Sequence, residues 1–224
     1  MTQRSTNGRV NQKLRTRNAI VRAATELIQR GRAVTMPEVA QTALVSEATA
    51  YRHFPDLVSL LQEAIAGQLF RPAEALEPVA DSRDPVERIA VATEYLLRHV
   101  VTHQTAIRVI IAATITQPAN IAARPGLRFG LIDEALAPLA EDWGTAGAPA
   151  LAQLKRDLAV VVSAEALFAL TDLCELPPAE AVASAVRTAT RLTRAALAEH
   201  GEPRRPRTGT ITGTITGSKA GHPG

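Results

Sequence analysis

The sequence predicts an all-α protein, and three observations support this fold class. Hydrophobic residues make up 46% of the 224 residues but aromatic residues only 3%, so the apolar content is mostly Ala, Leu, Val and Ile. Ala and Leu favour helices because they lose little side-chain freedom there. Apolar residues also recur at spacings of three and four between segments rich in Gly, Pro and capping residues. A core of this kind is typical of packed helices rather than of sheets.

The first helices are expected after a polar start. Residues 1–15 are basic and show no apolar periodicity, so we predict a flexible basic arm. From about Thr16, apolar residues at helical spacing predict a helix that ends at Gly31. Thr35 and Glu38 then fit a capping box, with a proline in the first turn. In such a box the Thr35 hydroxyl accepts from the backbone N–H of Glu38, and the Glu38 carboxylate reaches back to the N–H of Thr35.

A second short helix is expected directly after this one. Ser46 is the predicted N-cap of a helix over residues 47–53, which ends because the residue before Pro55 is pushed out of the helical region. Asp56 is expected to cap a fourth helix. Residues 16–70 are therefore predicted to form one helical unit.

Residues 71–200 are predicted to form a larger helical body. Its helices are expected at about residues 85–101, 105–116, 127–143, 150–173 and 178–200. A loop is expected over residues 117–126 and a bend at Pro138. The last two helices are long and tightly joined, which suits a four-helix bundle made with a second copy, although an ordinary intramolecular pair explains the same pattern. The low-complexity residues 201–224 are predicted to be disordered.

Charge is distributed unevenly along the chain. Residues 1–60 carry nine Lys and Arg against four Asp and Glu, whereas residues 61–200 carry twelve against seventeen. A basic end on an acidic body suits a module that faces phosphates. The single cysteine, Cys174, excludes an intramolecular disulfide and a multi-cysteine zinc site. The start has no apolar signal region and no run approaches 18 consecutive apolar residues, so we expect a cytoplasmic protein without membrane partners.

The two short helices carry the main functional signal. They are separated by a tight turn at Ala43-Leu44-Val45-Ser46, which is the arrangement of a helix-turn-helix. In that motif the second helix enters the major groove of DNA by its N-terminal half. The runs TMPEVA at 35–40, ALVS at 43–46 and TAYRHFP at 49–55 closely resemble the signature of the tetracycline-repressor (TetR) family. That signature has a threonine-led helix, an A-G-V-S turn and then T-L-Y-x-H-F, and the resemblance covers roughly residues 16–65.

The resemblance and the chemistry of the residues together predict a set of DNA contacts. The predicted contact residues are Thr35, Met36, Ser46, Glu47, Ala48, Thr49, Tyr51, Arg52 and His53. By resemblance, Tyr51 and His53 contact phosphates, whereas Arg52 is suited to guanine, Thr49 to the thymine methyl group and Glu47 to cytosine. Core packing remains open for Tyr51, and Glu47 could simply stabilise a helix N-terminus. From the arm, Arg15 and Arg17 could reach a flanking groove or phosphate.

Two positions depart from the family pattern. Leu44 stands where the family usually has glycine, and a left-handed conformation there would cost on the order of 1 kcal/mol. Leu57 stands where many relatives carry a lysine near the phosphate backbone, so one such contact is expected to be missing.

The body is expected to hold a small-molecule effector, because the resemblance places one there and helical bundles bind ligands between their helices. Candidate pocket residues are Tyr95, His99, Trp143 and Phe168, although each could also be plain packing. His99 and His103 are four residues apart and could ligate zinc, but no HExxH motif is present and a third ligand must be guessed. No metal and no cofactor is therefore predicted.

These observations predict a TetR-type transcriptional regulator that acts as a repressor. It would bind a palindromic operator in double-stranded DNA as a homodimer, formed through the last two long helices, and an unknown small-molecule effector would release it. No GxSxG motif, Gly-rich phosphate loop or CxxC is present, so an enzyme is not predicted. The alternatives are a DNA-binding protein without an effector and, ranked lower, a small helical enzyme.

Overall fold

The computed structural model describes residues 3–31, 34–66, 71–116 and 126–200. Within these ranges the chain forms α-helices, one short 3-10 turn at Glu77–Val79 and no strand, which confirms the all-α prediction. The helices are α1 (Gln3–Gln29), α2 (Met36–Thr42), α3 (Glu47–His53), α4 (Leu57–Ala66), α5 (Pro72–Ala75), α6 (Pro85–Thr102), α7 (Gln104–Thr116), α8 (Leu127–Ala135), α9 (Ala137–Trp143), α10 (Ala148–Val161), α11 (Ala164–Asp172) and α12 (Pro178–His200). The predicted disordered segment 201–224 and most of the predicted loop 117–126 lie outside the described residues.

The first four helices share one apolar core. α1 packs against α2 and α4, and α2 packs against α3. Ile20 of α1, Phe54 at the end of α3 and Leu60 of α4 are at most 1% exposed. Since complete burial of a large apolar side chain contributes roughly 1.5–3 kcal/mol, this small core supplies most of the stability that positions α3.

The body has a second core, built around α6 and α12. These two long helices pack along each other, and α12 also contacts α10 and α11. The Arg88 guanidinium is buried there, and its donors bond the backbone carbonyls of Val79, Ser82, Glu134 and Ala135 at 2.8–3.3 Å. Arg88 thereby joins the 3-10 turn, α6 and the C-terminus of α8. All four of these hydrogen bonds are to backbone carbonyl oxygens and none is to a carboxylate.

Helix α7 connects the two cores. Its Ala106 and Ile110 are buried in the core of the first four helices, against α4. Ile107, one position along, packs partly against both cores. A displacement in the body that moves α7 therefore acts directly on the packing of α4.

Two predicted element boundaries are wrong. The chain is helical from Gln3, so residues 3–15 extend α1 instead of forming a flexible arm. Adding a residue to an existing helix is far cheaper than nucleating one, and the packed half of α1 provides the start, so the extension needs no apolar stripe of its own. The predicted single helix over residues 150–173 is broken between α10 and α11. Val162 leaves the helical conformation and the Ser163 hydroxyl caps α11 by accepting from the N–H of Ala166 at 3.0 Å.

The predicted bend near Pro138 is confirmed, since α8 ends at Ala135 and α9 begins at Ala137. None of the helices in the described segments combines the length and the apolar character required to cross a bilayer.

Candidate nucleic-acid interface

The turn between α2 and α3 has the tight geometry that the motif requires. Ala43 closes α2 by donating to the carbonyl of Val39 at 2.8 Å, and the N–H of Val45 then donates to the carbonyl of Ala40 at 2.9 Å. Leu44 between them has a φ of 56°, the left-handed conformation expected at this position. Its side chain is 92% exposed. The strain of a left-handed leucine is therefore present, with almost no burial to offset it.

Both predicted N-caps of the motif are confirmed. Thr35 precedes α2 in an extended conformation, and its hydroxyl accepts from the N–H of Glu38 at 3.4 Å. The carboxylate of Glu38 accepts from that same hydroxyl at 3.0 Å, an arrangement that the capping-box prediction did not include. Ser46 caps α3 by accepting from the N–H of Thr49 at 3.2 Å, and the two hydroxyls lie 2.9 Å apart.

Helix α3 has one buried and one exposed face. Ala50 and Phe54 are at most 1% exposed and attach the helix to the core. Glu47, Ala48, Tyr51 and Arg52 are exposed on the opposite side, together with Ser46, while Thr49 is half-buried. With 48% of its surface accessible, Tyr51 is not a core residue. Five of the predicted contact residues, Ser46, Glu47, Ala48, Tyr51 and Arg52, thus share the exposed surface of one short helix and its N-cap.

Met36 is a correction to the predicted contact set. It is the first residue of α2, only 4% exposed, and packs in the same core as Val39 and Ala40. The Met36 side chain therefore faces the core and not DNA, and a DNA contact through the backbone of Met36 stays a prediction. Thr35, the residue before it, is exposed.

Arg17 of α1 holds the C-terminal end of α3 in place. Its Nη1 donates to the carbonyl oxygen of His53 at 2.9 Å, and its guanidinium carbon lies 4.2 Å from the centre of the Phe54 ring. Its Nε donates to Glu63 of α4 at 3.1 Å, and its Nη2 contacts the other oxygen of the same carboxylate. A cation at a helix C-terminus also opposes the partial negative charge there. Arg17 therefore fastens α1, α3 and α4 together instead of extending towards a neighbouring groove.

His53 lies at the edge of this surface in a basic environment. Partial burial, followed by the positive charges of Arg52, Lys13 and Arg17, lowers the pKa of its imidazole. Its Nδ1 is buried and has no hydrogen-bond partner among the described residues. Lys13 lies on the part of α1 predicted to be a free arm, so the helical extension brings a further positive charge near the end of α3. Sequence reasoning missed this because it treated residues 1–15 as unstructured.

A cavity lies where the first four helices meet the body. It encloses an envelope of about 650 Å³, which includes its opening to solvent. It is lined by Ile65 of α4, Leu96, His99 and Val100 of α6, Ile107, Ile110 and Ile111 of α7, Arg128 of α8, and Ser163, Ala164 and Glu165. Burial, followed by the charge of His103, lowers the pKa of His99 to about 4, so this imidazole is neutral at pH 7.

Of the four predicted pocket residues, only His99 lines this cavity. Tyr95 is 38% exposed on α6, and the Trp143 ring meets the ring of His200 edge-on, with the two centres 5.7 Å apart. Phe168 lies under the guanidinium of Arg108, whose carbon is 3.9 Å from the ring centre. Tyr95, Trp143 and Phe168 are absent from the lining of this cavity, so an effector pocket that includes them stays a prediction. Among the described residues, no three His, Cys, Asp or Glu side chains come together as a metal site.

One family model and two solved structures are similar to this chain. Residues 20–64 match the family model described as bacterial regulatory proteins, tetR family. The chain resembles the crystal structure of a TetR transcriptional regulator from Rhodococcus sp. RHA1, with 22% identity over 80% of this chain and 96% of the other, and a TM-score of 0.51. A putative TetR-family transcriptional regulator from Mesorhizobium loti MAFF303099 is 20% identical over 84% of this chain and 98% of the other, with a TM-score of 0.36. No curated protein matches the chain in sequence.

Proposed function

The chain carries the N-terminal domain of the tetR family of bacterial regulatory proteins at residues 20–64, and from this premise we propose that it is a transcriptional repressor. It binds a palindromic operator in double-stranded DNA as a homodimer, and a small-molecule effector releases it. The observation that carries the proposal is the division of α3 into a buried anchor, Ala50 and Phe54, and an exposed outer surface.

The proposed contacts with DNA fall into two groups. Tyr51, Ser46 and Thr35 bond phosphates and set the register of α3 in the major groove. Arg52 and Glu47 read base edges, because a guanidinium forks onto guanine and a carboxylate accepts from cytosine. The basic residues at the end of α3 and on α1 add attraction to the DNA backbone that is independent of sequence.

A homodimer is proposed because a palindromic operator is read by two copies of α3, separated by one helical turn of DNA (about 34–36 Å) or a multiple of it. Two apolar side chains of the body are open to solvent in the single chain and would be covered by a second copy. Val160 on α10 is 72% exposed, and Leu173 at the end of α11 is 82% exposed. Because α11 has nine residues, we assign the dimer contact to the α10–α11 region together with α12, not to two uninterrupted long helices.

Release by an effector is proposed at the cavity, because its wall includes residues that also hold α4. Ile65 belongs to α4 itself, and Ile107 and Ile110 belong to α7, which packs against α4. A ligand that changes the separation of α4 and α7 shifts α3, which precedes α4 in the chain by a short connection. A coupling of about 1–3 kcal/mol, or a change in DNA affinity of roughly 5- to 150-fold, is the usual magnitude for such a link.

The test is fluorescence anisotropy with duplexes that tile the DNA flanking this protein's own coding region, repeated over a range of salt concentrations. We expect one duplex to bind more tightly than a scrambled duplex of equal length, with affinity that falls as salt rises. The chain has two tyrosines, which supply a matched pair of variants. Tyr51→Ala should weaken binding to every duplex, while Tyr95→Ala on the body should leave the affinity unchanged. Equal loss in both variants, or no preference for any duplex, would contradict the proposal.

A further inference from the structure

The cavity combines an apolar interior with a single charged end. Its apolar side chains are Ile65, Leu96, Val100, Ile107, Ile110 and Ile111. The charged end consists of Arg128 from α8 and Glu165 from the first turn of α11. An interior of this kind favours a ligand with an apolar body and a polar group at one end, since few polar groups are available to fix its orientation.

The ion pair at the charged end is loose compared with a similar pair elsewhere in the same protein. Nη1 and Nη2 of Arg128 lie 3.2 and 3.3 Å from the two Glu165 oxygens. In the pair formed by Arg108 and Asp172, the corresponding distances are 2.5 and 2.7 Å. Charge-assisted hydrogen bonds are strongest near 2.7–2.9 Å, so Arg128 has bonding capacity that Glu165 does not fully use.

The two side chains of the loose pair are also unequally exposed to solvent. The Arg128 side chain is 21% exposed and donates in addition to the carbonyl of Ala159 at 3.3 Å. The Glu165 side chain is 35% exposed and therefore has readier access to water. Glu165 also sits in the first turn of α11, where the helix dipole favours a carboxylate whether or not Arg128 is bonded to it. Of the two, Glu165 is the partner that an incoming group can displace.

We propose that the cavity binds a small amphipathic carboxylate, whose apolar body lies between α6 and α7 and whose carboxylate bonds Arg128 in place of Glu165. This inference names the chemical class of the effector and so rests on the proposed function for its biological meaning, but not for its test.

The alternatives are disfavoured by the same geometry. An ammonium ligand would have to take Glu165 from Arg128 and leave the more buried of the two charges without a carboxylate, which is costly. A neutral polar group would leave the ion pair intact and gain only an ordinary hydrogen bond. His99, the other titratable side chain in the wall, is neutral at pH 7 and supplies no charge to attract either ion.

The experiment is isothermal titration of the full chain, in the absence of DNA, with two matched sets of probes: octanoate, octanamide and octylamine, and 4-phenylbutyrate with its amide and amine. We expect the carboxylate of at least one set to bind about tenfold or more tightly than its amide and amine, since hydrogen bonds to charged groups are roughly twice as strong as neutral ones.

Two variants make the inference specific to the ion pair. Arg128→Gln should abolish the preference for the carboxylate, with Arg128→Lys restoring part of it. Glu165→Gln should instead tighten carboxylate binding, because it removes the competitor for Arg128 without removing the guanidinium. Thermal unfolding of each variant verifies that it is folded.

Opposite effects of Arg128→Gln and Glu165→Gln are the decisive result. If the pair were only structural, both variants would weaken binding or leave it unchanged, and either outcome overturns the inference. Equal binding of the three end groups, preference for the amine, or no binding by any of the six probes also overturns it. The proposed function is measured separately by anisotropy on DNA, so a protein that binds carboxylates but no duplex would retain this inference and lose the repressor assignment.

Discussion

Replacing Leu44 by glycine should stabilise the protein even though it removes a large apolar side chain. Relief of the left-handed conformation, with φ at 56°, is worth about 1–2 kcal/mol. Against this, glycine loses roughly 0.5–1 kcal/mol more conformational entropy on folding. The lost burial is small, because the side chain is 92% exposed and full burial of a leucine contributes only about 1.5–3 kcal/mol, so less than about 0.3 kcal/mol is given up. The net expectation is a gain of about 0.5 kcal/mol in the free energy of unfolding.

The measurement is urea unfolding followed by circular dichroism, with Leu44→Ala as the matched control. Alanine loses the same side-chain contacts but keeps the Cβ atom and therefore the strain, so it should remain within about 0.3 kcal/mol of the parent protein. Leu44→Asn should fall between the two, since asparagine tolerates the left-handed region better than leucine does. A glycine variant no more stable than the alanine variant would refute the claim that strain at this turn outweighs every other effect of the residue.

Three further predictions concern helix α3, Arg17 of α1 and the cavity. Arg52→Ala should relax sequence preference while Tyr51→Phe weakens binding to all duplexes alike, as measured by anisotropy; indistinguishable effects would contradict the assigned roles. Arg17→Ala should lower the free energy of unfolding by about 2 kcal/mol. The substitution removes the hydrogen bond to the His53 carbonyl, the partly exposed ion pair with Glu63 and the contact with the Phe54 ring. The exposed neighbour Arg15 provides the control, and an equal loss in Arg15→Ala would show that general charge is responsible. The pKa of His99 is lowered from 6.5 to about 4, so the unfolded chain binds more protons between these pH values and stability should fall as pH decreases from 6.5 towards 4. His99→Gln should reduce that slope in urea titrations, and an unchanged slope would exclude this imidazole as its source.

Local signals in the sequence correctly predicted those helix starts that carry an N-cap residue. The caps at Thr35, Ser46 and Asp56 are all present, the last as a bond of 2.7 Å to the N–H group of Ser59. An N-cap depends only on residues up to three positions away, so its prediction needs no knowledge of the tertiary structure.

Helix extents were less predictable where no local rule applied. Residues 3–15 lack an apolar stripe, and the periodicity that identifies a buried helix face cannot identify an exposed extension. The interruption before Ser163 lies within a continuous apolar pattern, so periodicity alone joined α10 and α11 into one helix.

In the candidate site too, local features were predicted from the sequence, whereas contacts between distant segments were not. The motif predicted the exposed positions Glu47, Ala48 and Arg52. It did not decide between exposure and burial for Tyr51, and it did not predict the burial of Met36, because burial depends on how the helices pack. The two partners that Arg17 contacts through hydrogen bonds are 36 and 46 residues away in the chain. No spacing rule connects residues so far apart.

The sequence by itself determined the helical class and the helix-turn-helix, because capping, turn chemistry and apolar periodicity act over a few residues. The tertiary structure alone decided that Arg17 fastens α3, that α7 contacts both cores and that Arg128 pairs with Glu165 at one end of a cavity. These are contacts between segments distant in the chain, and their free energies depend on burial and distance, which appear only once the helices have packed.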